Sequence, residues 1–306
     1  MNPAFSVIFL TTLIGAAQGL FVALYAAELA GHADRSFLAA GGAVALVLTA
    51  LGLVASFFHL GRPERAWRTA TMWRTSWLSR EVIALPAFMG LLFAWTVAHA
   101  LAAPGTRAWG ALTLLACAAL WICTAMIYAS IRFLQEWASA YTLVNYTLLG
   151  LASGCTLAAG LAAFGAPALV PPVATAALVF TVAGGISRGL SLRRNARLKP
   201  RSTLQSALGI RHPQIRQRAM GFMGGSFNTR EFFHGRGPGT LRQVKHGFIV
   251  GAFVVPAMLI VLAHLLQAPP LLAVAFVVQY VGLLAERWFF FAQANHPQNL
   301  YYQAVS

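Results

Sequence analysis

The sequence predicts an all-α integral membrane protein, a bundle of eight transmembrane helices. Three observations carry that prediction. Of the 306 residues, 58% are hydrophobic and 9% are charged, against about 25% charged in an ordinary soluble domain. Uncharged apolar runs long enough to cross a hydrocarbon layer of roughly 30 Å as helices recur eight times. The 22 Lys+Arg residues are also unevenly placed, with twenty on one side of the predicted membrane.

The first span covers 5–30. Met1 to Val7 hold no basic residue and the apolar run is long, so it reads as a retained helix and not a cleaved signal peptide. Its Gly15 and Gly19 form a G-x-x-x-G pair. The second span, 36–60, ends on His59; the third, 81–103, contains Pro86, and Ser79 is its expected N-cap. The fourth is 108–131. The fifth, 141–164, carries a second G-x-x-x-G, Gly150 and Gly154. The sixth is 168–187, the seventh, with Pro256, is 246–266, and the eighth is 269–292. Together they make 1–306 a single membrane domain, interrupted by a long basic loop, 188–245. The glycine pairs are expected to let helices approach closely within the bundle, with a dimer seam as the rival reading. No internal repeat is visible.

Eight spans place both termini on one side. That side also holds Arg62, Arg65, Arg68, Arg74 and Arg80 in the 2–3 hairpin, Arg132, the residues from Arg188 to Lys245, and Arg287. The opposite side holds Arg35 and Arg107. Cytoplasmic loops carry the Lys/Arg excess. The basic side, with the termini and the 2–3 and 6–7 loops, is therefore expected to face the cytoplasm from a bacterial inner membrane. A net charge of +15 concentrated there suits anionic lipid or an acidic protein partner. It gives no nucleic-acid signal, because no basic stripe interleaves with stacking aromatics. Cys117, Cys123 and Cys155 sit inside apolar runs with no C-x-x-C and no iron–sulfur spacing, as expected of small buried hydrophobes.

The basic loop has two parts. Residues 187–197 extend the sixth helix into the headgroup layer. The window 220–235 is different, with four Phe and two Met in sixteen residues. Aromatics and Met flanked by Arg are the composition of a protein interface. Phe227, Arg230, Phe232 and Phe233, with Arg62, Arg68 and Arg74 of the hairpin, are the expected docking residues for a soluble partner. The alternative is a loop folded back on its own bundle.

Ionisable groups at or within a membrane are costly and so are functional candidates. The seven acids can be surveyed completely. Asp34 and Glu64 lie in loops, Glu231 in the basic loop, Glu136 in the 4–5 turn, and Glu28 near the far end of the first helix. Glu81 begins the third helix. Glu286 lies inside the eighth beside Arg287. Adjacent helix residues do not share a face, so Glu286 needs a partner on another helix or a neutral form. The hairpin from His59 to Glu81 brings an imidazole and a carboxylate to one membrane edge, with Trp67, Trp73 and Trp77 at headgroup level. Such a set can serve a quinone, whose reduction takes up two protons from groups that titrate near neutrality. It can also be an interfacial belt with a capping His and a paired Glu.

The hairpin reads His59-Leu-Gly-x-Pro-x-Arg65-Ala and then Ser76-x-Leu-Ser-x-Glu81. It resembles the membrane-anchor subunits of dimethyl-sulfoxide reductases, the DmsC family, and the resemblance extends over most of the chain. It implies the quinone-reactive membrane part of a three-subunit enzyme, with a molybdopterin catalytic subunit and an iron–sulfur subunit as partners. By that resemblance His59 and Glu81 are the catalytic pair. Arg65 and Arg287 would contact the quinone, a ubiquinone or menaquinone, with Trp77 and Arg80 beside them. No haem or metal is expected in the chain itself. The family's glutamate upstream of the last-helix arginine is Leu283 here, so the resemblance gives Glu286 no role. The large basic loop and the cytoplasmic placement resemble the membrane subunits of Soe-type sulfite dehydrogenases within the family. Sulfite oxidation with quinone reduction is the reading that follows, and a menaquinol-dependent sulfur-compound reductase is the alternative.

Two other classes remain open on the residues alone. A haem-b subunit would need histidines at matched depth, as His99 with His264 or His59 with His246. A secondary transporter would need ionisable groups near the midplane, where this sequence is nearly bare.

Overall fold

The computed structural model of the chain describes residues 1–216, 218, 232–297 and 299. Among the described residues, eight helices are long and apolar enough to cross a membrane. They are α1 (Phe5–Leu29), α2 (Arg35–Phe57), α3 (Trp77–Ala100), α4 (Thr106–Ala129), α5 (Ala140–Gly165), α6 (Val170–Asn195), α7 (Pro238–Leu265) and α8 (Leu271–Ala292). The side of the bundle that holds the start of α1 and the end of α8 is called side A below, and the opposite face side B.

Two boundaries differ from those expected. The cap of α3 is Ser76, not Ser79: Ser76 adopts extended backbone angles and its side chain accepts a hydrogen bond from the Ser79 amide. Ser79 itself is buried one turn inside the helix. The second is the start of α7, which lies inside the basic segment 188–245; the other end of that segment extends α6, as expected. α6 continues to Asn195, with Arg193 and Arg194 in its last turn, where cations complement the helix dipole. Arg194 donates two 3.1 Å hydrogen bonds to the Gln135 carbonyl, which ties that end to the α4–α5 turn. α7 begins at Pro238, where a missing N–H costs nothing.

α1 and α5 form the centre of the bundle, with α2, α3 and α4 on one flank and α6, α7 and α8 on the other. The two G-x-x-x-G pairs meet here, inside one chain. A side-chain carbon on Gly19 would lie 2.7 Å from the Gly150 carbonyl carbon, and one on Gly154 would collide with the backbone of Gly19 and Leu20. Backbones this close exclude any larger residue. A flanking contact is built likewise at Gly251 and Gly282 between α7 and α8.

The interruption of α7 by Pro256 is resolved through its neighbour. Proline cannot donate to the carbonyl four residues earlier. The preceding segment, Val250–Val254, widens into a π-helical turn, and Gln279 of α8 donates to the Ala252 carbonyl at 3.3 Å. In a bilayer no water can satisfy such a carbonyl, so a side chain must.

The seam yields a prediction. Gly154→Val should destabilise the bundle by about 1–3 kcal/mol or more through overpacking, lowering the thermal aggregation midpoint of the detergent-purified protein. Gly189→Val, where nothing lies within 4 Å, should leave the midpoint unchanged.

Candidate functional site

A narrow cleft with a free cavity volume of about 20 Å³ lies between five helices in the side-A half of the bundle. The glycine seam shapes it. Gly15 and Gly150 form part of its wall, where larger residues would fill the space. The polar groups around it come from Gln18 of α1, Glu81 of α3, Trp121 and Thr124 of α4, Tyr146 of α5 and Arg287 of α8. At about 1.5 Å per residue, Glu81 lies roughly 6 Å and Arg287 roughly 8 Å below the side-A ends of their helices, and Gln18 roughly 20 Å below that of α1.

Each group is held from a different helix. The Thr124 hydroxyl donates a short hydrogen bond to Glu81 Oε1. The Arg287 guanidinium lies 3.8 Å from the Tyr146 ring centroid and 5.3 Å from that of Phe290. Those rings belong to an aromatic cluster of Tyr128, Trp137, Phe290 and Phe291, in which Trp137 donates to the Phe290 carbonyl at 2.8 Å. The Gln18 amide donates to the Cys117 carbonyl at 2.9 Å. Trp121 Nε1 is buried and has no hydrogen-bond partner among the described residues. Native proteins rarely leave such a donor unpaired, and its place on the pocket wall offers it to an acceptor in the cavity.

Behind Arg287 lies a buried ion pair. Arg188 Nε on α6 sits 2.7 Å from Glu286 Oε1, with both side chains 2% exposed. This is the partner on another helix that Glu286 requires. Arg287 Nε is 3.9 Å from the other carboxylate oxygen. Arg188, which the sequence groups with the basic loop, stands within the bundle, roughly 10 Å below the side-A end of α6.

The structure thus brings together Glu81 and Arg287, residues 206 positions apart in the chain. It does not bring His59, Arg65, Trp77 or Arg80 to the pocket wall. His59 stands exposed just past the end of α2, and partial desolvation holds its imidazole below the ordinary 6.5. Arg65 is exposed, 3.9 Å from Glu64. Arg80, expected beside the quinone, is a staple of the hairpin. It stacks on Trp77 at 4.2 Å and donates to the carbonyls of Trp73 and Arg74, each at 2.9 Å. Tyr146, Thr124, Trp121, Gln18 and Arg188 escape a sequence reading, because tyrosines, threonines and single amides inside apolar runs look like ordinary packing.

The expected docking residues also divide. Arg62, Arg68 and Arg74 are exposed on the hairpin, around a 3₁₀ segment, Pro63–Met72, with no buried residue. Trp67 and Trp73 stand exposed beneath Arg68 and Arg74 at 5.5 and 5.4 Å. Phe232, also expected at the docking surface, stacks its ring on His296 at 3.9 Å, and His296 also meets Phe133. Phe233 is half-buried, and His234 approaches Trp288. Residues 232–234 therefore lie against Trp288 of α8 and His296 just past its end. Phe227 and Arg230 lie outside the described residues.

The histidine pairs considered as haem ligands are not assembled inside the bundle. His59, His246 and His264 are exposed. His99 is buried at side B against Trp95, with ring centroids 4.7 Å apart, and 3.4 Å from Glu28, which accepts from the Trp95 indole at 2.8 Å.

An eight-helix bundle with a polar pocket near its basic face is the framework of a membrane anchor, and the chain belongs to the DMSO reductase anchor subunit (DmsC) family, whose profile it matches over residues 1–293. It is 52% identical, over an alignment of 326 residues covering 100% of both chains, to a sulfite dehydrogenase subunit of Allochromatium vinosum.

The environment of His59 makes a prediction. Because its folded pKa is depressed, the ring stays neutral at pH 7. Protonation then works against the folded state as pH falls through and below 6.5, the ordinary value. The pH profile of diethyl pyrocarbonate modification at His59, which follows the neutral ring, should therefore have its midpoint below that of an unstructured peptide.

Proposed function

We propose that this chain is the quinone-reactive anchor of a three-subunit oxidoreductase, carrying electrons between an iron–sulfur subunit and membrane quinone. The observation that carries the reading is the pocket itself. It combines a carboxylate, a buried guanidinium and an unpaired indole N–H within reach of side A. A quinone ring offers two carbonyl acceptors and supplies the two-electron, two-proton chemistry. In that pocket Arg287 and Trp121 Nε1 serve as donors to a carbonyl oxygen, where negative charge grows on reduction. Glu81, with Thr124 donating to it, holds and releases a proton at its carboxyl group. His59, neutral at pH 7 and exposed at the same membrane edge, is the entry group for protons. Arg65 and Trp77 border that entry.

The partners in this reading are an iron–sulfur subunit docked on the hairpin arginines Arg62, Arg68 and Arg74 and, beyond it, a molybdopterin catalytic subunit. The name of the Allochromatium vinosum relative supports sulfite as the electron source. Oxidation of sulfite to sulfate, with water supplying the added oxygen, releases two electrons and two protons, which matches the uptake of one quinone. The family description supports the alternative, in which a quinol gives electrons to a sulfur-compound reductase through the same pocket. The Lys/Arg excess supports a cytoplasmic side A in a bacterial inner membrane.

Glu81→Gln should lower quinone-dependent turnover of the assembled complex by about 100-fold or more, while dye-linked sulfite oxidation by the soluble subunits continues. His59→Ala, outside the pocket, should cost about tenfold or less. Normal quinone turnover in Glu81→Gln would sink the assignment. For orientation, a cysteine replacing Arg74 should react with a membrane-impermeant maleimide in inverted vesicles and not in intact spheroplasts. The opposite pattern would reverse the sidedness.

A further inference from the structure

We propose that Arg188 is a positioning residue for the pocket: by holding Glu286, it leaves the charge of Arg287 free to face a ligand. The inference rests on the quinone reading of the pocket and concerns residues to which that reading gives no role.

The geometry is unequal in a way that matters. Glu286 has two arginines beside it, yet the close contact, 2.7 Å, goes to Arg188 on another helix, and the covalent neighbour Arg287 stays 3.9 Å away. Arg188 is itself fixed from three elements. Its guanidinium lies 5.7 Å from the Phe248 ring centroid of α7, Nη1 lies 3.5 Å from Ser191 Oγ on its own helix, and Nε meets Glu286 of α8. Arg287 turns the other way, onto the Tyr146 ring and the pocket wall.

Two buried cations and one buried anion leave one positive charge over. In a water-free interior that charge is costly unless something answers it. The facing wall holds Glu81, so the pocket separates a guanidinium from a carboxylate. A ligand whose oxygen becomes negative is stabilised at the arginine side, and a proton is available at the glutamate side. Without Arg188, Glu286 would be a 1% exposed carboxylate whose remaining ion-pair partner among the described residues is Arg287. It would draw that guanidinium out of the pocket and neutralise it.

The test uses the assembled complex and a head-group probe, 2-hydroxy-1,4-naphthoquinone, which is an anion at neutral pH. Its Kd is measured by titration calorimetry, alongside the quinone KM and kcat. Arg188→Met should raise both the Kd and the KM by about tenfold and lower the quinone kcat, because the charge that answers the reduced oxygen is withdrawn, with dye-linked activity little changed. Arg188→Met combined with Glu286→Leu, which removes the competing carboxylate as well, should return both to within about twofold of wild type. A lesion that merely loosens the helices would not produce a Kd change reversed by removing a second charge.

An unchanged Kd in Arg188→Met, or a double variant as impaired as the single one, would overturn the positioning role while leaving the pocket reading intact. If the single variant does not assemble, the double variant decides alone, and a tenfold rise there overturns the proposal. No binding of the probe by wild-type complex would instead overturn the pocket reading, and this inference with it.

Discussion

The backbone contact between α1 and α5 is the constraint on which the rest of the molecule depends. In a lipid environment there is little hydrophobic drive to bring helices together, so association rests on close packing and on polar bonds. Gly19, Gly150 and Gly154 bring the two backbones to a separation that tolerates no side chain. The remaining helices are then disposed as two flanks around this pair. The same glycines leave space next to the seam, and the polar pocket occupies it, with Gly15 and Gly150 in its wall. Packing and site are two consequences of one choice of small residues.

A second constraint is the absence of water. Each polar group inside the bundle has to find a partner in the protein: most serines and threonines take a carbonyl one turn back on their own helix, and longer side chains reach across helices. Gln279 answers the carbonyl that Pro256 releases and also reaches Thr181 at 2.9 Å. Ser187 donates to Asn145 at 2.7 Å. Glu28 binds Trp95 at the far side, and Glu286 binds Arg188. Removing one member of a buried pair such as the last leaves an uncompensated charge, at a cost of about 3–5 kcal/mol. Several buried groups among the described residues still lack a hydrogen-bond partner, the Gln279 side-chain oxygen and the Trp121 indole N–H among them, and the indole lies on the pocket with Arg287.

The two faces of the bundle differ in kind. Side A collects the arginines, the exposed tryptophans of the hairpin, the aromatic cluster around Tyr128 and the pocket. Side B carries short turns and the Glu28–Trp95–His99 group. In the proposed reading, a pocket beneath one face keeps the routes for electrons and protons short. The exposed hairpin shares the basic surface of that face with the arginines at and beyond the end of α6, Arg193, Arg197, Arg201 and Arg211 among them.

Hydropathy and charge, which the sequence displays directly, determined the number of spans, their approximate limits and the distribution of basic residues between the two sides. The G-x-x-x-G pairs were legible too, because close helix contact in lipid has few other solutions, although only the fold showed that the pairs meet each other and not a second chain. Glu81 was legible because a carboxylate in an apolar segment is rare enough to be noticed, and its hairpin motif resembles a known family. The pocket was not. It joins Gln18, Trp121, Thr124 and Tyr146, ordinary residues that gain meaning only when five helices converge on them. Nor could the sequence say that Arg188 pairs with Glu286 inside the bundle or that Arg80 turns back onto the carbonyls of Trp73 and Arg74. An arginine near a helix end can point outward or inward, and the choice falls to whichever carboxylate or carbonyl the neighbouring helices present. Periodicity along one chain records what a helix exposes, whereas pairing between helices depends on azimuth and depth, which only the packed bundle decides.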